Sequence, residues 1–254
     1  MPDAQSLADR IAALAPHMTV VRPPRAGRSP VVVQFHGCGG RKPLQDVWAA
    51  RFHAMGVGAV IVDSYTPRDI TTLEAYATIC TGLRFWGRER AGDVFAAVAL
   101  ARTLSFADPD RIIAAGWSHG GWSVLDAMAL APGAEAQRAT GLSDLPAEPL
   151  QGLAGAVLLY PYCGIAALAR RGLRYRAPTL AILGGRDSVI GVDGPQRVMA
   201  DLRARGAAIE THVFAAATHA FDEEDARDPR MRYDPELAAR AEALIAAFIG
   251  RVAA

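Results

Sequence analysis

The residues Gly116-Trp117-Ser118-His119-Gly120 form a G-x-S-x-G motif inside the run Arg-Ile-Ile-Ala-Ala-Gly-Trp-Ser-His-Gly-Gly-Trp-Ser at 111–123. An apolar run precedes the motif and a helical pattern follows it. In that strand–turn–helix context a serine is lifted out of a sharp turn, where its hydroxyl can attack a carbonyl carbon. Gly116 and Gly120 suit the turn, because a Cβ at either place would collide with it. The helix start behind Ser118 favours developing negative charge. Taken alone, the motif could equally mark a glycine-rich turn with an idle serine. Ser123 falls inside the following helix and competes poorly for the nucleophile's role.

A serine nucleophile needs a base and an acid, and in this arrangement they follow it in the order Asp or Glu, then His. The strand pattern Thr179–Leu183 leads into Gly184-Gly185-Arg186-Asp187, so Asp187 falls at a strand's carboxyl end, where functional side chains converge. Asp193 is the second candidate, and a turn or cap aspartate is the plainer reading of Asp187. Of six histidines, His119, His212 and His219 lie past the turn. His212 is inside the strand pattern Ile209–Phe214. His219 follows that strand in a short loop and is assigned as the base, with Asp187 fixing its tautomer. The turn His36-Gly37-Cys38-Gly39-Gly40 after Val31–Phe35 is where the second oxyanion donor is expected. The Cys38 N–H is assigned there beside the His119 N–H, with Gly37 and Gly39 as one-residue alternatives. The Cys38 thiol reads as a small packed group and His36 as a brace for the loop. No Lys-Ser or Lys-Thr follows the glycines, so a phosphate-binding P-loop is not indicated.

The elements that must hold these residues alternate along the chain. Strands are expected at Thr19–Arg22, Val31–Phe35, Ala59–Asp63, Arg111–Gly116, Ala154–Tyr160, Thr179–Gly184 and Ile209–Phe214. Helices are expected at Leu44–Met55, Arg90–Leu104, His119–Ala131, Pro195–Arg205 and Pro235–Val252. The last has Asp234 as cap, Pro235 in its first turn, and a stripe of Leu237, Ala241, Leu244 and Phe248. Continuous apolar strands alternating with helices imply an α/β fold. It would be a doubly wound, mostly parallel sheet of about seven to eight strands with helices on both faces. Residues 1–254 read as one domain. Two stretches break the rhythm, a cap-like excursion at 63–89 and a polar segment at 132–151.

Hydrophobic residues make up 51% and charged residues 21% of 254, and the formal net charge is +1. That balance favours neither nucleic acid nor an anionic membrane surface as a partner. No apolar run reaches the roughly 18 residues of a membrane span. The first eighteen residues do not read as a secretory signal, so the cytoplasm is the expected location. Cys38, Cys80 and Cys163 are too few for a disulfide scaffold and are expected to be reduced, although a pair could still meet in space. No cysteine pair or His/Asp/Glu cluster has metal-ligand spacing.

Four segments together resemble the dienelactone hydrolase family of the α/β-hydrolase superfamily: HGCGG at 36–40, GWSHGG at 116–121, LGGRD at 183–187 and THAFD at 218–222. The Arg90-Ala-Gly-Asp93 helix start and the tail from Tyr233 to Phe248 resemble it too. The resemblance covers nearly the whole chain and implies ester hydrolysis with no metal or organic cofactor. The chain departs from the dienelactone-cleaving members at the nucleophile, where they carry cysteine. The expected function is therefore that of a serine hydrolase cleaving a small-molecule ester or lactone through an acyl-enzyme. The alternatives are a peptidase or thioesterase on the same triad, or a ligand-binding homologue without turnover. Substrate contacts are expected from Tyr65, Arg68, Arg84, Trp86, Trp117, Tyr160 and Tyr162, with the arginines available for a substrate carboxylate. A homodimer is compatible with the sequence.

Overall fold

In the computed structural model, which describes residues 4–254, seven strands form one sheet in the order β1-β3-β2-β4-β5-β6-β7. β1 (Met18–Val21) is antiparallel to β3 (Gly58–Val62). All other pairs are parallel among β2 (Ser29–Phe35), β3, β4 (Ala107–Trp117), β5 (Leu153–Leu159), β6 (Thr179–Gly184) and β7 (Ile209–Phe214). The sheet is the one the apolar runs imply, and β6 and β7 have the expected bounds. β4 begins earlier than expected. Its first residues, Ala107-Asp108-Pro109-Asp110, look polar and turn-like, and Ala107 pairs with Ser29 across a register shift.

The strand side chains alternate between two cores, as a period of two requires. Val31, Val33 and Phe35 of β2 and Ile112 and Ala114 of β4 face one core. It is covered by α1 (Leu7–Leu14), α4 (Gly87–Arg102), α5 (His119–Ala129) and α7 (Asp193–Ala204). Val32, Ile113, Ala115 and Trp117 face the other, beneath α2 (Pro43–Ala54) and α8 (Pro235–Val252). Asp234 caps α8 by accepting from the N–H groups of Glu236 and Leu237. α1 was not expected. It is started by a capping box in which Ser6 and Asp9 satisfy each other's backbone N–H groups.

The stretch expected to be cap-like carries a helical turn at Thr66–Arg68, a single turn α3 (Thr72–Glu74) and a π-helical turn at Ala75–Ile79. Tyr65, Ile70, Ala75 and Ile79 form a small cluster of their own, with Cys38 and Phe85 packed against it. The polar segment at 132–151 contains α6 (Ala134–Thr140). The expectation of three reduced cysteines is corrected: Cys38 and Cys80 form a disulfide with a Cα–Cα distance of 5.1 Å, and only Cys163 is free. The pairing depends on the excursion folding back onto the loop after β2, and nothing in the local sequence around either cysteine encodes that return. No helix among the described residues is long and apolar enough to cross a membrane.

Candidate active site

Ser118 joins β4 to α5 with φ 50° and ψ −111°, a conformation that a residue with a Cβ holds only when its surroundings enforce it. The enforcement is steric. A Cβ on Gly116 would lie 2.5 Å from backbone atoms of Gly120 and Gly121, and one on Gly120 would lie 2.0 Å from the Phe35 carbonyl oxygen. The elbow is therefore wedged between its own helix and the end of β2.

Three side chains from three strand ends meet there. His219 Nε2 is 3.0 Å from Ser118 Oγ, and His219 Nδ1 is 2.6 Å from Asp187 Oδ2. With Nδ1–H donating to the carboxylate, Nε2 is the free base that faces the hydroxyl. Asp187 Oδ1 also accepts from the N–H groups of Val189 and Ile190. Asp187 and His219 are both buried. Asp193, the second candidate acid, is exposed in the first turn of α7. His212 pairs instead with Glu210.

The segment carrying Cys38 lies against the serine: a Cβ on Gly37 would be 3.7 Å from Ser118 Cβ. The His119 N–H, at the first position of α5, has no intrahelical acceptor. Both segments expected to carry the oxyanion donors are held by Arg90, which is fully buried. Its Nη1 donates to the His36 carbonyl at 2.7 Å and to His119 Nδ1 at 3.2 Å, and its Nε donates to Ser64 Oγ at 3.0 Å. His119 Nε2–H then donates to the Phe85 carbonyl. Burial and the Arg90 charge push the His119 imidazole down to about 3, so it stays neutral. His36 is held well below the ordinary histidine range by burial and by Arg90. Its ring bonds the Gly37 carbonyl and the Ser64 N–H, which makes it the expected brace.

The seven aromatic and arginine residues expected to touch substrate divide. Trp86 and Tyr162 border a cavity of about 360 Å³ that opens onto Ser118 and His219. Trp117 and Tyr160 line a separate recess of about 50 Å³ on the same two residues. Their polar atoms are already engaged, the Trp117 Nε1–H and the Tyr160 hydroxyl both donating to Asp222. Three expectations are corrected. Tyr65 is buried behind the loop and donates to the Cys38 carbonyl at 3.0 Å. Arg68 grips Asp93 and the Ser64 carbonyl. Arg84 pairs with Glu74 on the exposed side of the excursion. The composition of the excursion suggests a binding segment, but does not show which of its side chains turn inward.

Asp222 was not singled out, although it ends the THAFD segment. Its Oδ2 accepts from Trp48 Nε1 at 2.8 Å and from Trp117 Nε1 at 3.0 Å, and its Oδ1 accepts from the Tyr160 hydroxyl at 2.6 Å. One carboxylate thus ties α2, the elbow strand and the end of β5 to the loop that carries His219. Among the described residues no group of three or more His, Cys, Asp or Glu side chains is arranged to hold a metal ion.

A mostly parallel sheet with helices on both faces and a strained serine between strand and helix define the α/β-hydrolase fold. Residues 142–253 match the model of the dienelactone hydrolase family, and residues 80–134 match that of the prolyl oligopeptidase family. Over residues 142–253 the chain is thus similar to the dienelactone hydrolase family, and its fold is that of the α/β hydrolases. Among solved structures it is similar to a protein of Klebsiella pneumoniae assigned as a dienelactone hydrolase. That match has a TM-score of 0.71 and 19% identity, covering 92% of each chain. It is also similar to a dienelactone hydrolase-like promiscuous phosphotriesterase from metagenomic libraries, with a TM-score of 0.65 and 17% identity over 92% of this chain and 98% of that one. Thermogutta terrifontis esterase 2, phosphoramylated by tabun, has a TM-score of 0.68 and 16% identity over 92% and 89%. No curated protein matches the chain in sequence.

Proposed function

We propose that the chain is a serine esterase that works through a Ser118 acyl-enzyme. The observation that carries this is the unbroken path from Ser118 Oγ to His219 and from His219 to Asp187, at 3.0 and 2.6 Å. His219 takes the hydroxyl proton as Ser118 attacks the ester carbonyl. The Cys38 and His119 N–H groups receive the oxyanion. His219 passes the proton to the departing alcohol, and water repeats the sequence on the acyl group. Asp187, buried together with His219, stabilises the imidazolium. The match at 80–134 favours a peptidase reading, but that segment holds neither Asp187 nor His219. The match at 142–253 holds both and is to the dienelactone hydrolase family. Ester cleavage is therefore preferred over amide cleavage.

The test is Ser118→Ala with p-nitrophenyl acetate and a fluorophosphonate probe. Loss of a triad serine lowers kcat by about 10⁶ in the best-studied case. We expect a fall of several orders of magnitude, no labelling of the variant, and an unchanged circular dichroism spectrum. Retention of more than about a tenth of the turnover would remove Ser118 from the mechanism. Thermogutta terrifontis esterase 2 is phosphorylated by paraoxon, which supports an organophosphorus compound as the probe class.

A further inference from the structure

Two recesses of very different size meet at Ser118. The larger, about 360 Å³, is walled by Trp86, Trp122, Tyr162, Ile165 and Ile190 and has no Asp, Glu, Lys or Arg in its lining among the described residues. The smaller, about 50 Å³, has room for only a few water-sized groups. Its two charged lining residues, Lys42 and Glu223, are spent on each other. The two arginines that could have met a substrate carboxylate are absent from both. Arg68 and Arg84 border a third cavity that contains none of the proposed catalytic residues, and each is already paired with an acid. At the mouth of the large recess Ile165 is 93% exposed. An isoleucine left that open gains nothing for the fold, but it extends the apolar wall outward to where a ligand would enter.

We infer that the substrate is a neutral ester with one bulky apolar or aromatic arm and one arm of no more than about three heavy atoms. This rests on the serine-esterase reading above. An ester carbonyl at Ser118 sends its two substituents in different directions, and only one direction has space. A carboxylate on the bulky arm would be placed among indole, phenol and aliphatic groups with no cation to meet it, which is strongly unfavourable. Two bulky arms would collide with the wall made by Lys42, Glu223, Tyr76 and Leu44.

The inference is tested on the whole chain with five esters. Phenyl acetate and methyl benzoate carry the bulky arm on opposite sides of the carbonyl. 4-Acetoxybenzoate and monomethyl terephthalate are their carboxylated counterparts, and benzyl benzoate is bulky on both sides. We expect kcat/KM for the better neutral ester to exceed that of its carboxylated counterpart and of benzyl benzoate by about a hundredfold. Ile165→Arg places a cation at the mouth and should shift the charged-to-neutral ratio severalfold toward the charged ester. Equal turnover of the carboxylated or doubly bulky ester overturns the inference and leaves the esterase reading standing. So does a fluorophosphonate-labelled Ser118 with no turnover of any of the five. Absence of both labelling and turnover instead overturns the esterase reading itself.

Discussion

Two buried aspartates, one on each side of the elbow, are treated in opposite ways. Asp222, beneath the His219 loop, is met by three side-chain donors, two indoles and a phenol. Asp126, on the rear of α5, has one well-aligned donor, Leu168 N–H at 2.7 Å, with the Trp122 indole and the Ala169 N–H nearby but outside good geometry for its Oδ2. Burial is nearly the same, 3% exposed against none. What differs is the supply of donors. Burial pushes the Asp126 carboxyl up to about 7, against the pull of the Leu168 N–H and the smaller pulls of the Trp122 indole and the Ala169 N–H. At Asp126 burial outweighs the donors aimed at the carboxylate. On the His219 side the donors fix a loop, while behind α5 the acid is left to share a proton with the solution.

The largest effect is expected where three donors depend on one acceptor. Asp222→Leu strands the Trp48, Trp117 and Tyr160 donors in the core. At ~1–3 kcal/mol for each orphan, the loss should be about 5 kcal/mol. Urea unfolding should show a sharply lower midpoint, with Asp222→Asn in between. A midpoint equal to that of the parent would mean that the hub holds nothing.

Next comes the pH dependence of Asp126. Its folded pKa, about 7, lies above the ordinary 3.8. The protonated acid therefore contributes stability that is fully present below about pH 4 and is lost as pH rises toward 7. The contribution is at most about 4 kcal/mol. Unfolding free energy measured from pH 4 to 7 should slope downward in the parent and lose that component in Asp126→Asn. Identical slopes in the two proteins would erase the contrast with Asp222.

A smaller effect sharpens the comparison on the cationic side. Arg90, like Asp222, is a buried side chain met by neutral partners, but one of its nitrogens, Nη2, has none among the described residues. Arg90→Lys keeps the charge and cannot span the His36 carbonyl, the His119 ring and the Ser64 hydroxyl together. The proposed oxyanion donors would then lose their fixed spacing. We expect kcat to fall about tenfold, part of the ~10²-fold that a missing donor produces, with KM within about twofold. A change confined to KM would make Arg90 a substrate-binding residue and not a positioning one.

What could be read from the sequence follows from how local each signal is. Ser118, Asp187 and His219 each stand just past a short apolar run, so strand ends alone brought them together. β6 and β7 were legible for the same reason. The roles of Arg90 and Asp222 were not legible, though both lie in segments that resemble the family, because each acts on partners from other elements. Tyr65, Arg68 and Arg84 were misassigned because an irregular stretch has no periodicity to show which side chains face inward. α1 could have been found from Ser6 and Asp9, but its helical pattern is only eight residues long. The Cys38–Cys80 pairing required the path of the whole excursion.

That disulfide joins positions 42 residues apart and closes a covalent ring that includes all of α2 and β3. Leu73, 81% exposed on the excursion, lies inside the ring. A protease that cuts there opens the ring without releasing a fragment. On a gel without reductant the nicked protein should still run as one species of 26.9 kDa, and with reductant it should separate into a short amino-terminal piece and a long carboxyl-terminal one. The loop that carries Cys38 would stay fastened to the stump that carries Cys80, so a nicked chain could keep its candidate site assembled for as long as its surroundings remain oxidising.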